Sequence, residues 1–281
     1  MCAIFGLGFM KGHKVENSEM VRNILRNLFK ENQIRGRTAA GLACVTSREI
    51  HVVKKDVCGS TLVTLPEYEH MERKYVTFST APDQDPKEIA KEPPISYIGH
   101  CRLKTKGSEL NNVNNHPIVR KEVVGVHNGM IGNDDHLFDI YKKTFPRNGE
   151  VDSEIIFALI EHFSRIDASR HIHKAIQKAS QTLLGGMACA FAHVRQPHVV
   201  WLFRRGGPCD VVIFRDVGMV AWSSLQQYTT RAVRDYTGIL GKAEVIELAP
   251  NEGIGIDLFR NLVHRFDLYE YSKRNNALSM M

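Results

Sequence analysis

The first ten residues are almost continuously apolar, the mark of a strand buried on both faces, and Gly6 and Gly8 within it predict close backbone packing or a bend. From Ser18, a candidate N-cap, Met20, Val21, Ile24, Leu25, Leu28 and Phe29 recur at helical spacing, so a helix is expected to run toward Gly36. A cluster of short strands follows, at Gly41–Thr46, Ile50–Lys54, Tyr75–Thr80, Ser96–Leu103 and Val123–His127. Amphipathic helices are expected at Asp134–Thr144, Ser153–Ile166 and His171–Leu183, then strands at Ala188–Val194, Val199–Arg204 and Val211–Phe214. A last helix, Leu225–Tyr236, precedes strands at Glu244–Leu248 and Gly253–Asp257. Helices grouped between two strand clusters predict a layered α+β fold. The proline-bearing stretch from Thr80 to Pro94 reads as a surface loop.

Composition narrows the class. With 281 residues, 43% hydrophobic and 24% charged, the chain can bury a large core, and disorder and coiled coil are not expected. The net charge of +6 is spread in both signs along the sequence, which argues against a nucleic-acid surface. Six cysteines, at positions 2, 44, 58, 101, 189 and 209, form no CxxC pair and no metal-ligand spacing with histidine, so a reducing compartment and no metal are expected. No apolar run is long enough to span a bilayer, and the apolar start lacks a basic leader. A cytoplasmic protein without a membrane partner is the expectation.

Cysteine at position 2 changes the chemistry that is conceivable. Removing Met1 would leave a thiol and a free α-amine on one residue, nucleophile and base together. Their reference pKa values, about 8.5 and about 7.7–8.0, leave enough neutral amine near neutrality to take the thiol proton. Taken alone, Cys2 is a small apolar residue in a buried strand.

Four further segments change that balance. They are Arg35-Gly36-Arg37-Thr38-Ala39-Ala40-Gly41; Gly99-His100-Cys101-Arg102-Leu103-Lys104-Thr105-Lys106-Gly107; Asn115-His116-Pro117-Ile118 leading into Val126-His127-Asn128-Gly129-Met130-Ile131-Gly132-Asn133; and Val151-Asp152-Ser153-Glu154. In this order they resemble the class II glutamine amidotransferase domain, an N-terminal-nucleophile hydrolase found in glucosamine-phosphate synthase and amidophosphoribosyltransferase. Weaker echoes at Arg205-Gly206-Gly207-Pro208, Ala221-Trp222-Ser223-Ser224 and Ile246–Gly253 carry the resemblance to about Asp257.

The resemblance implies a four-layer αββα sandwich, with residues 1–257 as the amidotransferase domain and 258–281 as an extension of unknown role. It implies catalytic roles for Cys2, Asn128 and Gly129. The Asn128 side-chain amide and the Gly129 N–H would form an oxyanion hole, where glycine permits the close approach that fixed donors need. Arg102, whose planar fork suits both oxygens of a carboxylate, would clamp the substrate α-carboxylate, with Thr105 and Lys106 at the same end. Asp152 would anchor the α-ammonium, and Arg35 would organise the N-terminal cysteine. Each residue also has a plainer reading: Asn128-Gly129 as a hairpin turn, Arg102 as a surface ion pair, Asp152 as a helix N-cap. His100, His116 and His127 lie in segments where the family uses no metal, and no cofactor is implied.

Ala3 stands where the family usually has glycine, Thr38-Ala39 where it has Asp-Ser, Leu103 where it has tryptophan and Lys106 where it has histidine. The implied activity is a glutaminase half-reaction through a Cys2 thioester, with glutamine as substrate and ammonia passed to a separate synthase partner. A γ-glutamyl hydrolase acting on another amide, or an inactive binding module, stands as the alternative, and an oligomer is left open.

Overall fold

Each residue of the first strand, β1 (Ala3–Phe9), is buried because its two faces meet different layers. Ala3, Phe5, Leu7 and Phe9 enter a core shared with helices, whereas Ile4 enters a second core between two sheets. Gly6 continues the Ile4 face, and a Cβ there would lie 2.2 Å from the Trp222 ring and from the Tyr97 carbonyl oxygen. Close packing is therefore the reason for that glycine. The structure is a computed structural model and describes residues 1–76, 95–167 and 171–269.

After β1 come α1 (Ser18–Asn32), β2 (Ala39–Val45), β3 (Ile50–Lys55), α2 (Gly59–Leu62), α3 (Pro66–Tyr75) and β4 (Ser96–Arg102). The middle of the chain holds β5 (Ile118–Val119), β6 (Val123–Ile131), α4 (Asp134–Tyr141), α5 (Ser153–Ile166), α6 (Ile172–Thr182), β7 (Gly185–His193) and β8 (Gln196–Arg205). The last third holds β9 (Asp210–Phe214), β10 (Met219–Ser223), α7 (Gln226–Ala232), α8 (Thr237–Leu240), β11 (Ala243–Glu247), β12 (Glu252–Asp257) and β13 (Leu262–Asp267).

Two antiparallel sheets result. One runs β11-β9-β10-β1-β4-β2-β3 and the other β13-β12-β8-β7-β6-β5. Among the described residues, three separate cores define the layering. The first joins the β1 sheet to α1, α2, α3 and α7, the second joins the β6 sheet to α4, α5 and α6, and the third fills the gap between the sheets with Ile4, Ile98, Val124, Val126, Ala190 and Leu202 among others. This is the αββα sandwich expected from the sequence. His100 of β4 also crosses between the sheets, its Nε2 lying 3.0 Å from the His127 carbonyl oxygen on β6.

Several boundaries differ from expectation for physical reasons. The N-cap of α1 is Asn17, not Ser18: its Oδ1 accepts the Met20 N–H at 2.9 Å. Tyr75 ends helix α3 instead of opening a strand, and the rest of that expected strand, like the Thr80–Pro94 loop, falls outside or almost outside the described residues. Helix α3 escaped notice because its sequence is mostly polar, although Pro66 marks its first turn. Strand β6 runs four residues beyond His127, so Asn128-Gly129 lies inside a paired strand and is no hairpin turn. Beyond Asp257, β13 pairs with β12 and adds an edge strand to the second sheet. Among the described residues no helix is long and apolar enough to cross a membrane.

Candidate active site

Cys2 precedes β1 at the end where Ala3 lies opposite Cys101 of β4. Its thiol faces the residue after β4: the Leu103 N–H donates to Sγ at 3.3 Å, and Sγ lies 3.4 Å from the Leu103 carbonyl oxygen. Arg35 holds the backbone from the other side, its Nε donating to the Cys2 carbonyl at 2.9 Å. One strand further in, Ser224 fixes Ile4 twice, its N–H donating to the Ile4 carbonyl at 2.8 Å and its Oγ accepting the Ile4 N–H at 3.0 Å.

Thr38 donates both its N–H and its hydroxyl to the Arg102 carbonyl, each at 2.9 Å. Gly36 makes the Arg35 turn possible, since a Cβ there would sit 2.4 Å from the Arg102 carbonyl carbon and 2.5 Å from the Leu103 nitrogen. A shallow cavity of about 430 Å³ opens beside this turn, lined by Met1, Ile34, Arg35, Gly36, Arg37, Thr38 and Leu103. Met1 is 75% exposed at its rim.

The guanidinium of Arg102 is buried rather than at the surface. Nη1 donates to Asn115 Oδ1 at 2.7 Å, and Nη2 donates to the carbonyls of Lys106 at 2.7 Å and Gly107 at 2.8 Å. With both Nη2 protons engaged, the donors left for a ligand are one proton on Nη1 and the Nε proton. These offer single contacts to a carboxylate, not the two-oxygen fork expected from the residue type. Burial lowers the Arg102 pKa, while the charges of Cys2, Glu109 and Asp152 work against that shift.

Asn128 and Gly129 lie side by side on β6, paired with Ala188 and Met187 of β7. No side chain fits at Gly129, where a Cβ would meet the Gly186 carbonyl oxygen at 2.1 Å. Two residues on, the Ile131 N–H donates to Asp152 Oδ2 at 2.7 Å. Asp152 occupies the position before α5 but makes no capping bond, so its carboxylate serves β6 and not its own helix. His127 is fixed by Ser153, Nδ1 to Oγ at 2.8 Å. Gly207 packs on the same strand, where a Cβ would lie 3.2 Å from the Asn128 carbonyl oxygen.

Burial raises the Cys2 thiol above its usual pKa; the Leu103 N–H, the terminal ammonium and Arg102 pull it down, and Asp152 pushes it up. Thr105 is exposed on the loop after β4. The Lys106 ammonium is engaged within the protein, bonded to Asp134 Oδ2 at 2.6 Å and to Asp135 Oδ1 and Oδ2 at 2.9 and 3.0 Å. A direct contact from Lys106 to a substrate carboxylate is not what this geometry offers.

Known proteins carry the same arrangement of strands. Glutamine–fructose-6-phosphate aminotransferase (isomerizing) of Halalkalibacterium halodurans is 24% identical over 206 residues, 73% of this chain and 30% of its own length. The Aliivibrio fischeri enzyme of the same name is 30% identical over 156 residues, 55% of this chain and 25% of its own. The solved glutamine phosphoribosylpyrophosphate amidotransferase from B. subtilis superimposes with a TM-score of 0.64 at 17% identity, over 95% of this chain and 49% of that one, and at that identity it establishes the fold alone. The chain is a homologue of class II glutamine amidotransferase domains. No family model matches it. It spans between a quarter and a third of these curated relatives.

Relative to the amidotransferase motifs, the residues overlooked in the sequence are the ones that hold others in place. Asn115 and Ser224 lay inside quoted segments, yet nothing in the order of residues showed that one would orient Arg102 and the other Ile4. Asp134, Asp135 and Arg147 belonged to no motif. Their ion pairs, Arg147 to Asp135 at 2.6 Å and to Asp134 at 3.3 Å, form only when α4 and the segment after it fold together.

Proposed function

We propose that this chain is a glutaminase module that hydrolyses the side-chain amide of glutamine through Cys2. Removal of the exposed Met1 frees the Cys2 amine, which takes the thiol proton. The thiolate attacks the amide carbon, Asn128 and the Gly129 N–H hold the oxyanion, and the amine returns its proton to the departing ammonia. Water then cleaves the γ-glutamyl thioester, restoring the thiol and releasing glutamate. Arg102 and Thr105 receive the α-carboxylate and Asp152 the α-ammonium, an orientation that places the amide at Cys2. Residues 1–257 form this module, and the ammonia passes to a separate synthase partner.

The observation that carries this reading is convergence. Residues far apart in sequence are tied together: the Leu103 N–H, next to Arg102, donates to the Cys2 thiol, and Asp152 accepts the Ile131 N–H two residues beyond Gly129. A second reading, a ligand-binding module without turnover, is favoured by the engagement of Arg102 Nη2 with the chain's own carbonyls.

Intact mass before and after a glutamine-analogue diazo-ketone, with glutamate release in parallel, separates the two. Loss of Met1, one adduct absent from Cys2→Ala, and Cys2-dependent glutamate release support the glutaminase. Glutamine binding with Met1 retained and no adduct would replace it with the binding module.

A further inference from the structure

The loop between β4 and the rest of the site carries Thr105 and supplies the two carbonyls that hold Arg102, yet Leu103–Gly107 forms neither helix nor strand. Something else must hold it. Lys106 reaches out of this loop to the first turn of α4, where Asp134 and Asp135 receive its ammonium at 2.6 and 2.9 Å. Helix α4 follows directly on β6, the strand of Asn128 and Gly129. The side chain thus connects the loop that fixes Arg102 to the helix that follows the strand of Asn128 and Gly129.

The receiving end is itself braced. Arg147 bonds both carboxylates, donates from Nε to the Gly149 carbonyl at 2.8 Å and from Nη2 to the Glu150 carbonyl at 2.9 Å, and lies over the Phe138 ring at 4.7 Å. Two cations and two carboxylates leave the cluster neutral, and Asp134 is buried, so its interactions are only partly screened by water. Immediately beyond Gly107, the Ser108 N–H donates to Glu150 Oε2 at 3.3 Å, two residues before Asp152. The C-terminal end of the loop is therefore tied, at Lys106 and at Ser108 just beyond it, to the segments after β6 and before α5.

We infer that Lys106 is a positioning residue for the glutaminase reaction: by clasping Asp134 and Asp135 it holds the Leu103–Gly107 loop in the one conformation that fixes the Arg102 guanidinium and presents Thr105. This rests on the proposed glutaminase reading for its effect on substrate, though not for its effect on the loop. Lys106 touches no reacting atom. Without its ammonium the carbonyls of residues 106 and 107 are no longer held over Nη2, and Arg102 keeps only Asn115 as a fixed partner. Binding of the amino-acid head weakens while the chemistry at Cys2, once substrate is seated, proceeds as before.

The test uses the full chain as wild type, Lys106→Met, Lys106→Arg and Asp135→Asn. Backbone amide exchange of residues 103–108, read by mass spectrometry, should accelerate about tenfold in Lys106→Met, less in Asp135→Asn where Asp134 remains, and return toward wild type in Lys106→Arg. Steady-state glutaminase should show KM for glutamine raised about tenfold in Lys106→Met, with kcat within about threefold and recovery in Lys106→Arg. Unchanged exchange in Lys106→Met overturns the inference. So does faster exchange with an unchanged KM, or a loss confined to kcat. If the wild type releases no glutamate while exchange responds as expected, the glutaminase reading fails and the clasp on the loop stands.

Discussion

One oxygen of the Asp152 carboxylate accepts the Ile131 N–H at 2.7 Å, so the residue proposed to anchor the substrate ammonium also braces the strand that bears Asn128 and Gly129. The two duties separate by substitution. Asp152→Asn keeps an acceptor for the Ile131 N–H and removes the charge. It should melt close to wild type while KM for glutamine rises at least about tenfold, the scale of one lost charged hydrogen bond. Asp152→Ala loses both, and its melting temperature should fall as well. Equal destabilisation in the two variants, with no added effect on KM, would leave Asp152 a brace and nothing more.

Asn128 tests the oxyanion assignment. Asn128→Ala should lower kcat by about a hundredfold to a thousandfold with little change in KM, as expected for a donor that acts in the transition state. Gly129→Ala differs in kind. Its Cβ would meet the Gly186 carbonyl oxygen at 2.1 Å, so β6 and β7 must part, and activity and melting temperature should fall together. Steady-state kinetics beside thermal melts of both variants distinguish a chemical loss from a structural one.

How far such residues could be found in advance depended on whether their role was local. Cys2, Arg102, Asn128, Gly129 and Asp152 sit in short contiguous segments, and the strands around them read clearly because buried β-strands are apolar on both faces here. The paired position of Asn128-Gly129 was hidden, since the dipeptide is a strong turn signal and only the register with β7 shows that the strand continues. Asp152 misled in a related way: Asp-Ser-Glu before an apolar run looks like a cap, and its actual partner lies 21 residues away on another element. Lys106 looked like a substrate ligand because the sequence gives its charge and not its direction.

Thiol reagents aimed at Cys2 meet a competitor. Cys58 is partly exposed, and hydrogen bonds from Ser60 and Thr61 lower its pKa to about 7, with a smaller contribution from Arg37. Burial moves Cys2 the other way. In protein that retains Met1, iodoacetamide at neutral pH should label Cys58 ahead of Cys2, and the labelling rate of Cys58 should rise with pH through a midpoint near 7, as thiolate replaces thiol. Peptide mapping by mass spectrometry follows each site. Dominant labelling of Cys2 under these conditions would mean that its thiol is activated even with Met1 in place.

Buried histidines make the fold sensitive to acid, and the sign follows from which state holds the protons. His100 and His116 stack with ring centroids 4.1 Å apart between the sheets. Burial drives His100 down to about 3, the hydrogen bond to the His127 carbonyl opposing this and the charges of Arg102 and His127 adding to it. Burial likewise holds His116 well below 6.5, with the neighbouring His100, His127, Arg102 and Lys54 pressing the same way. In the unfolded chain both titrate near 6.5, so below that pH the unfolded state binds protons that the folded state refuses. Their contribution is complete above about pH 6.5 and is lost as pH falls toward the folded values, at about 1.4 kcal/mol per pH unit for each ring. Together they should cost about 3 kcal/mol of stability between pH 6.5 and 5. Urea unfolding across this range measures the slope directly. His116→Gln should flatten it, whatever the variant does to stability at higher pH. A slope that His116→Gln leaves unchanged would mean that the ring takes up its proton inside the folded protein, and that the gap between the sheets admits water or a counter-charge.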